Sequence, residues 1–147
     1  MSTLKGLLEK SINLNEDIKN ILKYADYERY YDLSGLEINS SDPDELMLLD
    51  ELQDVISKLS DVSNILEYLS KAILMTGYLV KNQLGRYELD NGKHYYTSGN
   101  RIEAYIYDDY NESYKWVIST VEHNGKDYYV KGYPTVKMDG LQVRIRG

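Results

Sequence analysis

Apolar residues in the first half of the chain recur at alternating spacings of four and three positions. Between Leu48 and Ile73 this alternation continues for about four heptads, which is typical of the seam of a coiled coil. A segment from Leu4 to Ala25 follows the same alternation. The seam positions are Leu4, Leu7, Ser11, Leu14, Ile18, Ile21 and Ala25, and then Leu48, Leu52, Val55, Leu59, Val62, Leu66, Leu69 and Ile73. Two such segments joined by a loop predict an antiparallel, coiled-coil-like helical hairpin.

The second helix has clear start and stop signals. In the stretch Asp42-Pro43-Asp44-Glu45, the first residue suits the N-cap, proline suits the first helical position and the glutamate completes a capping box. Gly77 is the predicted stop. The flanking apolar residues Leu49, Ile56 and Leu74 lie off the seam, so we expect them to pack against the second half or against another copy of the chain.

From Tyr78 onward the period falls to two, and glycine-containing turns arrive every eight to twelve residues. Strands are predicted at Tyr78–Lys81, Arg86–Leu89, Ile102–Tyr107, Lys115–His123, Lys126–Gly132 and Gln142–Arg146. Short strands with glycine turns predict a small antiparallel β-barrel or a bent sheet. The expected fold class is α+β, with a helical hairpin over residues 1–77 and a small β-domain over residues 78–147.

One pair of polar residues lies beside a predicted turn and raises the question of catalysis. If the Asn124-Gly125 pair is a two-residue turn, His123 lies opposite Lys126 and Glu122 lies opposite Asp127. Neighbouring residues of a strand point to opposite faces, so Glu122 and His123 do not act together on one substrate. We interpret them as a hairpin corner, with Trp116, Val121 and Tyr128 as core residues.

The composition argues against most enzyme chemistry. The chain has no cysteine and two histidines, His94 and His123, without the spacing of a metal site. No phosphate-binding glycine loop and no nucleophile elbow occurs. We therefore expect no catalytic residue, no metal and no cofactor. No apolar run approaches the length needed to span a bilayer and no secretory signal is evident, which predicts a protein of the bacterial cytoplasm without a membrane partner.

Several short motifs of the second half occur together in the order found in one family. They are Gly85-Arg86-Tyr87, Ser98-Gly99, Ile102-Glu103, Trp116, Val121-Glu122, Tyr128-Tyr129 and Gly140-Leu141-Gln142-Val143-Arg144-Ile145. With these motifs the half resembles a family of small uncharacterised domains from Gram-positive bacteria and their mobile elements. The family pattern has a cysteine before Gly99 and a basic residue at the position of Thr120, and this chain departs from it at both. The resemblance implies a β-domain and a phage, plasmid or prophage origin, and it supplies no catalytic residue.

The net charge of −7 lies almost entirely in the helical half, where residues 1–77 carry fifteen acids and seven bases. Between residues 26 and 54 ten acids face one base, Arg29, and tyrosines lie among them. Carboxylates and tyrosine rings both bind guanidinium groups, whereas such a field repels nucleic acid. The predicted partner-binding residues are Asp26, Tyr27, Glu28, Tyr30, Tyr31, Asp32, Glu37, Asp42, Asp44 and Glu45.

These features give two function hypotheses, and a third, a small-molecule-binding or sequestering protein, leaves no trace in the sequence. In the first, the chain is a non-enzymatic inhibitor whose acidic residues replace the phosphates of a nucleic acid on a basic protein, such as a host defence nuclease. A small, acidic, cysteine-free chain of this kind resembles anti-CRISPR proteins, by analogy of class and charge only. In the second, the β-domain binds nucleic acid or a peptide through Arg86, Arg101, Arg144, Arg146 and some of its eleven tyrosines, and the helices form a homodimer.

Overall fold

The computed structural model describes all residues from Met1 to Gly147 and divides them into two compact units, Met1–Lys71 and Ala72–Gly147. The first unit contains three helices, α1 (Leu4–Tyr24), α2 (Tyr27–Tyr30) and α3 (Pro43–Ser70). The second contains seven strands and no helix. The α+β fold class predicted from the periodicities is confirmed. None of the helices combines the length and the apolar character that crossing a membrane requires.

The predicted N-cap and first helical position of α3 are confirmed, but the predicted capping box is not formed, because Glu45 accepts from the N–H of Asn39 and the N–H of Asp42 donates to the Asn39 carbonyl. The Asp42 carboxylate accepts a hydrogen bond from the backbone N–H of Asp44 at 2.9 Å, and Pro43 occupies the first turn. Helix α1 begins in the same manner, because the Thr3 hydroxyl accepts from the N–H of Gly6 at 3.0 Å. Each cap satisfies one of the N–H groups that a helix start leaves without a partner.

Helices α1 and α3 pack antiparallel within the chain, and the predicted seam is confirmed only in part, at the buried residues Ile18, Ala25 and Leu66. Asn15 contacts Glu67 while Ala25 packs with Ile56, so rising numbers on α1 meet falling numbers on α3. The packed face of α3 contains Ile56, Ser63 and Leu66, whereas most of the predicted seam positions are exposed. The exposed seam residues are Leu48, Leu52, Val55, Val62 and, on α1, Leu4, Leu7, Leu14 and Ile21. Ile73, the last predicted seam residue, is also exposed and lies in the first strand, not in α3. Leu49 and Ile56, predicted to be uncovered, belong to the helical core.

The predicted helix end at Gly77 is wrong, because α3 ends at Ser70 and the next residue is already extended (φ −76°, ψ 141°). The unit boundary lies between Lys71 and Ala72, six residues before the expected one. Gly77 instead lies inside the first strand, opposite Val143. A Cβ atom there would come within 2.9 Å of the Leu89 and Asp90 side chains, so this glycine permits close packing between strands.

The second unit is a single curled, half-barrel sheet of antiparallel strands in the order β3-β2-β1-β7-β4-β5-β6. Its strands are β1 (Ile73–Lys81), β2 (Tyr87–Leu89), β3 (Tyr95–Tyr96), β4 (Arg101–Asp108), β5 (Ser113–His123), β6 (Tyr128–Val130) and β7 (Gln142–Arg146). All six predicted strands occur, and β3 is additional. The sheet's core contains alternate residues of the strands, including Leu79, Ile102, Ala104, Val121 and Val143, all at most 1% exposed. Burial and a 2.9 Å hydrogen bond to Asp127 raise the pKa of Tyr87 in this core to about 12.

The β5–β6 hairpin differs from its predicted register. His123 pairs with Tyr128 and Glu122 with Tyr129, which leaves four residues in the loop instead of two. The Asn124 side chain holds this wider loop, since its Oδ1 accepts from the N–H groups of Lys126 and Asp127 at 2.9 and 3.0 Å. The shift of two residues preserves the faces, so Glu122 and His123 still point to opposite sides.

Candidate functional site

The ten predicted partner-binding residues fall at the end of the helical unit where α1, α2 and the start of α3 meet. Four of them, Asp26, Tyr27, Glu28 and Tyr31, line one open groove of about 650 Å³ between α1 and α3. Lys19, Lys23 and Glu67 line the same groove, so both signs of charge are present in it. The structure therefore brings four of the ten predicted residues together in one groove. Lys19 and Lys23 also line this groove, and the charge pattern of the sequence did not predict them there.

Several of the remaining acids have local structural roles. Asp42 caps α3, Glu45 accepts a hydrogen bond from the N–H of Asn39, and Asp32 accepts from the N–H of Ser34 at 2.9 Å. The hydrogen bonds from Ser34 lower the pKa of Asp32. Among the acids, Asp26, Glu28, Glu37 and Asp44 are exposed and have no such role, although Asp26 lies 4.0 Å from Arg29.

The tyrosines of this end divide in the same way. Tyr27 packs against the helical core, and the Tyr30 ring lies so close to Gly35 that a Cβ atom there would come within 2.6 Å of it. Tyr31 is 75% exposed, and Tyr24, just before α2, is 84% exposed. The most exposed aromatic rings beside carboxylates are thus those of Tyr24 and Tyr31, while Tyr27 packs against the helical core and Tyr30, 40% exposed, packs against Gly35.

A second candidate surface lies on the side of the sheet that faces away from its core. Four rings of β4 and β5 contact one another in series: Tyr107 meets Tyr114 edge-on at 5.2 Å, Tyr114 stacks on Tyr105 at 5.0 Å, and Tyr105 meets Trp116 at 5.1 Å between centroids. The guanidinium carbon of Arg144 on β7 lies 4.2 Å from the centroid of the Trp116 ring. We call these five residues the aromatic face. Its three tyrosines are 37–59% exposed.

A buried carboxylate holds the arginines of this face. Glu103, on β4, is 1% exposed and accepts hydrogen bonds from the Nε groups of Arg144 and Arg146, the latter at 2.8 Å. The strand register explains the arrangement, because Glu103 pairs directly with Arg144 and neighbours of the same face follow at every second position. The carboxylate binds one edge of the Arg144 guanidinium group. The planar surface of that guanidinium group lies over the Trp116 ring.

The sequence predicts Trp116 in the core, includes Tyr105, Tyr107 and Tyr114 only among the eleven tyrosines of the β-domain, and gives Glu103 no role beyond its family motif. The structure corrects the first point, since Trp116 is half-buried on the outer side of the sheet. The predicted arginines separate as well. Arg144 and Arg146 meet on Glu103, Arg101 lies on the same side of β4 by alternation, and Arg86 lies over the ring of Tyr95 at 5.5 Å.

Residues 77–145 form a domain that matches the family model described as "Domain of unknown function (DUF5348)". The predicted resemblance of the second half to an uncharacterised domain family is confirmed to that extent. All five residues of the aromatic face lie within the matched range. Neither the curated proteins nor the solved structures contain a match to this chain.

Proposed function

We propose that this chain is a non-enzymatic binding protein whose aromatic face binds single-stranded nucleic acid. The observation that carries the proposal is the series of ring contacts from Tyr107 through Tyr114 and Tyr105 to Trp116, which ends on Arg144. Unpaired bases stack on exposed aromatic rings and on guanidinium planes, and each stacked base contributes about 1–3 kcal/mol. A run of rings along neighbouring strands offers successive bases successive stacking partners.

The charge around the face supports an anionic ligand. Arg101, Arg144 and Arg146 lie on this side of the sheet against Glu103 and Glu122, so cations are in excess there. The helical unit, by contrast, has eight more acids than bases. Its field opposes nucleic acid at low ionic strength and is screened beyond about 10 Å at 0.1 M salt. Binding is therefore expected to be modest and strongest near intermediate salt.

The test uses the single tryptophan as an internal reporter. Tyr105 and Arg144 both contact Trp116, so a base that stacks on either of them lies close enough to change the fluorescence of Trp116. Titration of the full chain with a single-stranded oligonucleotide in 0.1 M salt should therefore give a saturable quench. Tyr114→Ala should weaken the oligonucleotide's affinity roughly 5- to 150-fold through the loss of one stacking partner. Tyr110→Ala is the matched control, because Tyr110 is 94% exposed in the turn beside these strands and contacts no ring of the face.

Two results would count against the proposal. One is equal affinity of the Tyr114 and Tyr110 variants for the oligonucleotide. The other is quenching by a proline-rich peptide but not by any oligonucleotide, because aromatic grooves also bind extended peptides.

A second function is proposed for the acidic end of the helical unit, which we infer engages an arginine-rich surface of a nucleic-acid-binding protein. Asp26, Glu28 and the exposed Tyr31 support it, since they line one groove. Under this proposal the chain is an inhibitor of phage or mobile-element type, and a bacterial defence nuclease is the kind of partner it fits. The family match bears on neither this origin nor this partner.

This second proposal is tested with variants that leave the structural acids intact. Glu28→Lys combined with Glu37→Lys should weaken binding to an oligoarginine peptide by roughly 5-fold or more, measured by calorimetry in 50 mM salt, because both side chains are exposed. Glu9→Lys combined with Glu16→Lys makes the same charge change on α1 outside this end. If both double variants weaken binding equally, net charge explains the affinity and no local site exists.

A further inference from the structure

The two sides of the helical pair differ sharply in polarity. On one side lies the groove described above, with the Lys19–Glu67 ion pair at 2.6 Å and the small polar residues Ser60 and Asn64. The opposite side is apolar, and its residues are exposed except for Leu69, which is partly buried. Its residues are Leu14 and Ile21 on α1 and Leu48, Leu52, Val55, Val62 and Leu69 on α3, and they are defined here as the apolar stripe.

The stripe keeps the heptad period although most of its residues are exposed. Leu48, Val55 and Val62 follow one another at intervals of seven residues, and they are 48%, 45% and 41% exposed. A strict seven-residue repeat on a long helix matches another helix with the same repeat. Leu52 lies between them at 44% exposure and completes the alternation of three and four.

We propose that the apolar stripe binds a second copy of this chain, with the two α3 helices antiparallel across a two-fold axis at Val55. Such an axis places Val55 against itself and Leu48 against Val62 of the other copy. Each contact then occurs twice, as a two-fold interface requires. From Leu48 to Leu69 the stripe is about 32 Å long, and with a width of one to two helix diameters it covers roughly 300–600 Å² per copy, which is the lower end of the range for specific interfaces and fits a dimer of micromolar affinity.

The charges beside the stripe fit the same axis. Glu51 and Lys58 flank Val55 on the exposed side of α3, four residues before it and three residues after it. The axis therefore brings Glu51 of one copy to within about one residue of the level of Lys58 of the other. In the single chain Lys58 lies 2.8 Å from Asp54, one turn away, with its side chain largely exposed.

The acids at the start of α3 select this orientation over the parallel one. A parallel pair would place Asp42, Asp44 and Glu45 of both copies side by side, whereas the antiparallel pair separates these two groups by the length of the helix. Like charges in contact destabilise an association, so the parallel arrangement is disfavoured.

Cysteine cross-linking tests the arrangement cleanly, because the chain has no cysteine of its own. Oxidation of Val55→Cys should give a covalent dimer, since facing helices at a two-fold axis bring its two sulfur atoms together. Leu48→Cys alone should stay monomeric, because its two copies lie about 21 Å apart along the axis, far beyond the reach of a disulfide. A mixture of Leu48→Cys and Val62→Cys should cross-link, and Ser60→Cys on the polar side should not.

Analytical ultracentrifugation tests the association without oxidation. Wild-type protein should dimerise at micromolar concentration, and Val55→Glu should raise the dimer dissociation constant roughly 100-fold or more by burying two like charges. Ser60→Glu is the control on the polar side. Glu51→Lys and Lys58→Glu should each weaken the dimer roughly 5-fold, and the double swap should restore it. Circular dichroism of each variant checks that the helices remain folded.

The proposal is overturned if wild-type protein is monomeric at 100 µM, if Ser60→Glu disrupts the dimer as strongly as Val55→Glu, or if Leu48→Cys cross-links with itself. The last result would establish a parallel pair. None of these outcomes depends on whether the chain binds nucleic acid or a basic protein.

Discussion

Glu103→Ala is expected to lower the free energy of unfolding of the β unit by about 3–5 kcal/mol. The substitution leaves Arg144 and Arg146 without the carboxylate that accepts their hydrogen bonds, and both side chains are less than 20% exposed. Removing one member of a buried ion pair costs more than removing the whole pair, because the remaining charges stay in a region of low dielectric constant. In this protein the substitution leaves two guanidinium groups, those of Arg144 and Arg146, without their buried carboxylate partner.

The measurement is a urea titration followed by the fluorescence of Trp116, the single tryptophan and a direct neighbour of Arg144. Glu122→Ala is the matched control, because Glu122 is a glutamate of the adjacent strand whose hydrogen-bond partner is the Thr120 hydroxyl at 3.1 Å. It should cost less than about 1 kcal/mol. A Glu103→Ala transition within that same margin of wild type would show that the arginines find other acceptors, and the account of the aromatic face as a fixed array would fail.

The spacing of apolar residues changes from a helical period to a period of two near Tyr78. This change was enough to predict a helical half, a β half and all six of the longer strands. The face on which α3 packs was not predictable in the same way. Leu48, Leu52, Val55 and Val62 form one heptad series, and Leu49, Ile56 and Ser63 form another one position away. The second series packs against α1 although it contains a serine. This packing buries two polar residues, Asn15 and Ser63. A prediction from apolar residues alone therefore places the first, more apolar series against α1, whereas that series is the exposed one.

The aromatic face depends on contacts that local patterns do not contain. Alternation places Tyr105 and Tyr107 on one side of β4, but their partners on β5 depend on the turn at residues 109–112, where Glu112 adopts a left-handed conformation (φ 52°). The same alternation places Glu103 on the outer side of β4 and so predicts that it is exposed, whereas it is buried. Its burial follows from β7 lying beside β4, a pairing between residues about forty positions apart. The acidic end was visible from composition, whereas the capping roles of Asp32 and Asp42 within it required the loop geometry.

Ile56→Ala is expected to destabilise the helical unit by about 2–4 kcal/mol, which is a large share of its stability because its core is thin. Ile56 is 7% exposed and packs with Ala25 and Leu33, the other two buried members of that core cluster. Leu33 belongs to the segment that returns from α2 to α3, and its N–H donates to the Gln53 side chain at 2.9 Å. The cavity left by the isoleucine therefore lies where α1, α3 and this segment meet.

Circular dichroism at 222 nm reports this unit, because all helices of the chain lie in it, and Trp116 fluorescence in the same samples reports the other. We expect the urea midpoint at 222 nm to fall well below that of wild type and the fluorescence midpoint to move less. Ile65→Ala removes the same atoms from a residue of α3 that is 54% exposed, and it should cost less than about 1 kcal/mol. Equal losses for Ile56→Ala and Ile65→Ala would mean that packing against α1 does not distinguish these two positions, and the packed face assigned to α3 would then have to be reconsidered.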